Sequence, residues 1–286
     1  MSRIGVNKTY KLFIGGAFPR SESGRTFPVN QPDGTLIAHA CQASRKDVRD
    51  AVSAARKAQE SWAGRTAYNR GQILYRIAEV METRSDEFVA ELERVGVSAA
   101  QAQVRVAIDR WVWYAGWADK YTQVLGGANP VAGPYFNFSV LEPMGVVGIA
   151  AADSSPLVAL VSRLAPALVS GNTAVVLAPE SAPLVGITLA EALATSDVPG
   201  GVVNILTGSR EELVPWLADH ADVNAVDLSG CDPDLAAVAR EKGAATVTRT
   251  VSASDAERNW LSADAESPYL IEAFCETKTV WHPAGR

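Results

Sequence analysis

Cysteine and histidine are scarce in this chain, with three of each among 286 residues. Cys41, Cys231 and Cys275 are odd in number and far apart, which excludes a disulfide framework and suits a reducing compartment. The scarcity also argues against a metal centre, because a structural zinc site needs about four closely spaced ligands. His39 and Cys41 share one face of an extended segment but have no further Cys or His company, so neither is expected to hold a metal. A basic excess is missing too. The 26 Lys and Arg against 32 Asp and Glu leave a net charge of −6, whereas phosphate affinity needs clustered cations. No apolar run approaches the roughly eighteen residues that span a bilayer, and the opening MSRIGVNKTYK lacks an apolar h-region. A cytoplasmic protein with no nucleic-acid and no membrane partner is the expectation. Repeats and low-complexity tracts are also lacking.

What remains is a large apolar fraction, 48% hydrophobic against 20% charged, enough to bury a substantial core without disulfides. The first forty residues read as short extended pieces (Leu12–Ile14, Thr26–Val29, Leu36–Ala38) broken by Gly15-Gly16 and Pro32-Asp33-Gly34. Ser44-Arg45-Lys46-Asp47 has the form of a capping box, and Val48, Val52, Ala55 and Trp62 follow at a rough helical spacing. A second helix is predicted from about Asn69 to Glu82, a third from near Ser85, and a fourth through Val104, Ile108, Trp111, Ala115 and Ala118. Gly126 to Pro134 reads as a loop. Phe136, Phe138 and Val140 then alternate with Asn137 and Ser139, the period of a half-exposed strand.

From Gly145 the pattern changes. Val146–Ala151 is a near-continuous apolar run, as a strand covered on both faces requires. Helices over 156–169, 183–194 and 211–218 alternate with strands over 173–177, 202–206 and 223–228, and a further helix surrounds Leu235. This order predicts a parallel, doubly wound sheet. Another strand is expected over 246–251. After a polar stretch, a last strand-forming segment runs from Ile271 to His282, with Glu276 and Lys278 on one face.

Phe13-Ile14-Gly15-Gly16, Arg70-Gly71-Gln72-Ile73-Leu74, Glu142-Pro143-Met144-Gly145-Val146-Val147-Gly148, Leu164-Ala165-Pro166-Ala167-Leu168, Gly171-Asn172-Thr173 and Pro199-Gly200-Gly201-Val202-Val203-Asn204 resemble the aldehyde dehydrogenase superfamily, in order and over essentially the whole chain. Trp117-Ala118-Asp119-Lys120-Tyr121 and the run Thr195–Gly201 are more similar still to the truncated second unit of family-16 aldehyde dehydrogenases, which lacks a catalytic half. The resemblance implies an α/β fold: a doubly wound parallel sheet of the nucleotide-binding type over 8–122 and 141–260. A small antiparallel oligomerisation arm is implied over 123–140 and 268–286, with the catalytic domain missing.

The departures from the family pattern carry the functional expectation. Where the family has Pro-Trp-Asn-Phe-Pro, whose Asn stabilises an oxyanion, this chain has Ala152-Asp153-Ser154-Ser155-Pro156. Lys-Pro-x-Glu, which holds the adenosine ribose, reads Ala178-Pro179-Glu180-Ser181. The Gly-x-Gly turn is Gly208-Ser209-Arg210, and Gly-Ser-x-x-x-Gly is Gly230-Cys231-Asp232-Pro233-Asp234-Leu235. Gly208, Ser229 and Gly230 are what is left of an NAD(P) site, and no bound cofactor is expected beyond vestigial affinity. The general base should fall at about Thr250-Val251-Ser252, where this chain has no carboxylate, and Phe274–Trp281 resembles the family's last strand although the nucleophile-bearing domain has been skipped. We therefore expect no catalytic residue and no metal.

Cys275 as a relocated nucleophile lacks a base placed by sequence. Asp153, Ser154 and His220 hold the letters of a triad without its elbow. Trp111, Trp113 and Trp117 read as packing or interface residues rather than a cofactor box. The expected function is a non-catalytic structural or regulatory subunit, an aldehyde-dehydrogenase-like pseudoenzyme. It would pair with a full-length aldehyde dehydrogenase subunit, or with itself, through Phe136, Phe138, Val140, Thr277, Thr279 and Trp281. The alternatives are an NAD(P)-dependent aldehyde oxidoreductase active only in a complex, and a nucleotide or small-ligand sensor.

Overall fold

The computed structural model describes residues 8–251 and 258–284. Three short strands open it, β1 (Thr9–Tyr10), β2 (Thr26–Asn30) and β3 (Leu36–Cys41), laterally ordered β1-β3-β2. Helices α1 (Arg45–Ala63), α2 (Ala67–Thr83), α3 (Ser85–Arg94), α4 (Ala100–Trp117) and α5 (Tyr121–Leu125) follow. The capping box at the head of α1 is present: the Asp47 carboxylate accepts from the Ser44 N–H at 2.7 Å while the Ser44 hydroxyl accepts from the Asp47 N–H. Val48, Ala51, Val52, Ala55 and Trp62 are its buried stripe, and the Trp62 indole N–H donates to the Leu168 carbonyl at 3.1 Å.

Strands β4 (Gly127–Asn129) and β5 (Tyr135–Pro143) precede the alternating half: β6 (Val146–Ala150), α6 (Pro156–Val169), β7 (Thr173–Leu177), α7 (Pro183–Ala194), β8 (Val203–Leu206), α8 (Arg210–Ala218), β9 (Ala225–Asp227), α9 (Pro233–Ala244) and β10 (Arg249–Val251). Their sheet is parallel throughout, in the order β10-β9-β6-β7-β8. Every residue of β6, β7 and β8 is buried, because helices cover both faces. The edge at β8 is closed by the segment just after β1, where Phe13 and Ile205 exchange backbone hydrogen bonds at 2.9 and 2.8 Å. Asn204 fastens this corner, accepting from the Gly15 N–H at 2.8 Å and donating to the Gly201 carbonyl at 2.8 Å.

After α10 (Pro268–Glu272), β11 (Cys275–Pro283) runs antiparallel to β5 along its whole length, giving a second sheet ordered β11-β5-β4. The register sets Phe136, Phe138, Val140, Lys278 and Glu276 on one face and Asn137, Ser139, Thr277, Thr279 and Trp281 on the other. The expected contact residues therefore split between two faces. Alternation along β5 holds, but its polar side is the covered one: Asn137 is 3% exposed and Phe136 54%. Asn129 explains part of this, since its side-chain amide donates to the Asn137 side-chain oxygen Oδ1 at 2.6 Å from the neighbouring strand.

Three elements differ from expectation. The glycine-rich stretch after Gly126 includes strand β4, because β5 offers it a paired edge. The strand expected from Thr246 begins only at Arg249. The N–H groups of Thr246 and Thr248 turn back to the Gly243 carbonyl, and Val247 takes a left-handed φ of 57°, so the end of α9 overrides the β-preference of Thr-Val-Thr. Ile271 belongs to α10 and not to the last strand. Pro268 starts that turn, the Ser267 hydroxyl accepts from the Tyr269 N–H, and Ile271 and Phe274 are fully buried beneath it. Among the described residues, no helix is long and apolar enough to cross a membrane.

Candidate functional site

In an open parallel sheet, ligands sit outside the carboxyl ends of the strands, where the strand order reverses. Here that point lies between β6 and β9. Three loops meet there: Ala151–Ser155 after β6, Thr207–Ser209 after β8, and Leu228–Asp232 after β9.

Arg210 fills the meeting point. It is 8% exposed, and its guanidinium donates to the Ala151 carbonyl at 2.9 Å and to the Gly230 carbonyl at 2.6 Å. The same group ion-pairs with Asp153, while its Nε lies 3.5 Å from Glu180. Asp153 is held from behind by the Ser181 N–H at 2.9 Å. These are charge-assisted contacts in a partly desolvated place, stronger than neutral hydrogen bonds. The negative charge that the sequence placed in the crevice is thus neutralised from within the chain.

Helix N-termini attract anions, and two of those at the crevice hold carboxylates of this chain. Glu180 accepts from the Arg210 N–H, the first of α8, at 2.6 Å. Asp232 caps α9, accepting from the Leu235 N–H at 2.8 Å, and Pro233 removes one further donor there.

The three residues expected to be remnants of a cofactor site all border this crevice, but in different settings. Gly230 gives its N–H to the Ala150 carbonyl at 2.9 Å, and a Cβ on it would come within 2.2 Å of the Ala151 oxygen. Its missing side chain is required by strand packing. The Ser229 N–H is occupied by the Asp227 carboxylate at 3.0 Å. Gly208 lines a hollow of about 290 Å³ with Phe27, Gln42, Glu180, Pro183 and Ser209. That volume lies at the lower end of small-ligand pockets, roughly 300–1,000 Å³. The guanidinium of Arg210 ties Gly230 into the network and leaves Gly208 on the other side.

Ser154, at the oxyanion-donor position of the resemblance, accepts a hydrogen bond from the Trp260 indole at 3.2 Å. Trp260 is fully buried, with the Arg163 guanidinium 5.1 Å from its ring. Arg110 holds the backbone around it, donating to the Trp260 carbonyl at 3.1 Å, the Ser262 carbonyl at 3.2 Å and the Ser162 hydroxyl at 2.8 Å. Burial lowers the Arg110 pKa, partly offset by Glu266 3.3 Å away. Burial also pushes the Tyr114 phenol, which donates to the Ser267 carbonyl, up to about 12.

The remaining candidates are kept apart. Cys275 is buried with its Sγ 3.2 Å from the Ile271 carbonyl, and burial pushes its thiol up to about 12. Cys231 is raised to about 12 by the same cause. His220 takes the Asp222 N–H, away from Asp153 and Ser154, whose own partners are Arg210 and Trp260. His39 is exposed and Cys41 buried, and among the described residues no group of Cys, His, Asp and Glu could hold a metal. Trp111 is fully buried, and Trp113 and Trp117 pack against the same core. Thr250 and Val251 sit in β10; Ser252 lies outside the described residues.

Arg210 and Trp260 escape a reading of the sequence. For Arg210 a signal exists: three charges, Asp153, Glu180 and Arg210, stand at positions where the family pattern has none of them, and each lies just past a strand. For Trp260 there is none, since one aromatic in a polar stretch has no periodicity.

A family model for the aldehyde dehydrogenase family matches residues 18–261. Cytosolic 10-formyltetrahydrofolate dehydrogenases of Mus musculus and Homo sapiens are 32% and 31% identical over 96% and 95% of this chain, which spans 30% of their length. HpcC from Thermus thermophilus superposes with a TM-score of 0.80 at 31% identity, over 85% of this chain and 47% of that one. An aldehyde dehydrogenase from Bacillus cereus, solved with NAD+, gives 0.78 at 27%, over 85% and 50%.

Proposed function

The chain belongs to the aldehyde dehydrogenase family, and on that premise we propose that it is a non-catalytic pseudoenzyme that serves as a structural or regulatory subunit of a catalytic aldehyde dehydrogenase. One observation carries the reading: Arg210, clasped by Asp153 and Glu180, occupies the crevice where a dinucleotide-type sheet takes its ligand. The rest of the chemistry is missing in the same sense. The chain passes from Val251 in β10 to Cys275 in β11 with no second α/β domain between them, and the catalytic domain of its structural relatives has no counterpart here. The thiols of Cys231 and Cys275 are buried and protonated at neutral pH. Base, nucleophile and oxyanion donor are separate contributions to the barrier, and among the described residues the buried thiols and the Trp260-bound Ser154 are poorly placed to supply the last two.

What the chain retains is an arm. Among the described residues strand β11 is paired along one edge only, and Tyr135, Phe136 and Trp281 are exposed around it. Asn137 is buried in the same sheet with its amide Nδ2 lacking an acceptor among the described residues. An unpaired strand edge flanked by uncovered aromatics is suited to adding to another sheet, and a full-length aldehyde dehydrogenase subunit would offer one. Mixing the chain with such a subunit and measuring mass by light scattering tests this. A joint species is expected, and it should disappear when Phe136 and Trp281 are both changed to Ser. Separate peaks at micromolar concentration, or NADH formed from aldehyde by the isolated chain, would overturn the reading.

A further inference from the structure

A second face of the molecule, built from α2 and α4, is also uncovered. Tyr68 and Tyr75, two turns apart on α2, are 69% and 51% exposed, and Val112 on α4 is 41% exposed. They wall a groove of about 680 Å³ between the two helices. Tyr68 and Tyr75 are seven residues apart and Val112 and Gly116 four, so each pair lies on one helix face.

The floor of the groove holds an unexplained glycine. Gly116 is exposed in the last turns of α4, and a Cβ placed on it would meet nothing within 4 Å. Glycine inside a helix costs roughly 0.5–1 kcal/mol against alanine, and among the described residues no side chain or neighbouring backbone crowds its place. Gly71, across the groove, differs: its Cβ would sit 3.0 Å from the Ala115 carbonyl and 3.1 Å from the Ala118 methyl, so the α2–α4 packing demands its absence. Gly116 leaves a notch that opens outward.

The rim is self-complementary. Arg76 and Glu79 stand on the α2 wall, paired at 2.9 Å; Asp119 and Lys120 stand at the end of the α4 wall, paired at 2.7 Å. A twofold axis that laid the α2 wall of one copy along the α4 wall of the other would set Arg76 and Glu79 against Asp119 and Lys120, one base and one acid on each side. On a chain of net charge −6, a rim carrying both signs, with Asp197 beside it, repels another copy less than an all-acidic rim would. Helices of 17 and 18 residues give ridges about 25 Å long at 1.5 Å per residue.

We propose that two copies of this chain meet through the α2–α4 face, each seating an α2 tyrosine in the notch over Gly116 of the other. The interface is distinct from the arm and does not depend on the arm's partner. The test is sedimentation of the full chain carrying Phe136→Ser and Trp281→Ser, so that arm pairing cannot contribute to the mass. In that background the mass should double with rising micromolar concentration. Gly116→Arg and Tyr75→Ser should each return it to a single chain, with unchanged or higher melting temperature for the former because arginine favours helix. Arg76→Glu should weaken the dimer, and Asp119→Lys added to it should restore it. A single-chain mass throughout, or a dimer indifferent to both Gly116→Arg and Tyr75→Ser, overturns the proposal. So does a groove whose variants lose a catalytic aldehyde dehydrogenase subunit while the chain's own mass stays the same.

Discussion

The indole N–H of Trp260 donates to the hydroxyl of Ser154 at 3.2 Å, joining the segment after β10 to the loop after β6. In this way Trp260 is held against the start of α6, with the Arg163 guanidinium 5.1 Å from its ring. Trp260→Ala should therefore be among the most destabilising single changes, by roughly 3–5 kcal/mol, because a fully buried ring leaves a cavity. Urea unfolding checks it; a loss below about 1 kcal/mol would mean that the segment is only loosely attached.

Arg210 predicts a calorimetric result. Wild-type chain titrated with NAD or NADP should give no saturable heat, since the guanidinium and the Glu180 and Asp232 carboxylates hold the positions where phosphate would meet backbone donors. Saturable heat that Arg210→Ala abolished would instead mark the guanidinium as a ligand contact.

The thiols predict a chemical result. Burial raises Cys231 and Cys275 to about 12, so both are neutral thiols at pH 8 and the attacking thiolate is scarce. Iodoacetamide should leave them unmodified in the folded chain and alkylate both in urea, as read by mass spectrometry. Rapid labelling of folded Cys275 would point to an open, activated site.

Glu91 predicts a pH dependence. It is buried, takes the Tyr10 hydroxyl at 2.5 Å, and burial raises its carboxyl above the ordinary 4.5. The folded chain then holds a proton that the unfolded chain has lost, so stability falls as pH rises from 4.5 through the raised value and levels off above it. Glu91→Gln should remove this portion of the fall, seen as a stability difference that widens over that window. Parallel curves for the two chains would contradict the raised pKa.

Much of the fold is legible in the sequence because local and global signals agree. Ser44 and Asp47 cap the first long helix through groups only three residues apart, and Val146–Ala150 must be apolar throughout to lie between helices. The Thr246–Thr248 turn is not legible, because local β-preference loses to a helix end that only tertiary placement fixes. Burial of Asn137 in place of Phe136 is hidden for a similar reason: alternation gives the period, and which face is covered depends on β4 and β11. The crevice shows its losses residue by residue, Lys-Pro-x-Glu and Gly-x-Gly among them. Its replacement stays hidden, since the Arg210, Asp153 and Glu180 contact joins residues 57 and 30 positions apart that no spacing rule connects.

The exchange of backbone hydrogen bonds between Phe13 and Ile205 has a consequence for synthesis. A ribosome must deliver Ile205 before the segment around Phe13 can find its partner, so that segment waits while the helices behind it form. Contacts of such sequence separation slow folding. A chain clipped ahead of Gly15 would leave the β8 flank open, and inclusion bodies are the expected outcome of expressing it.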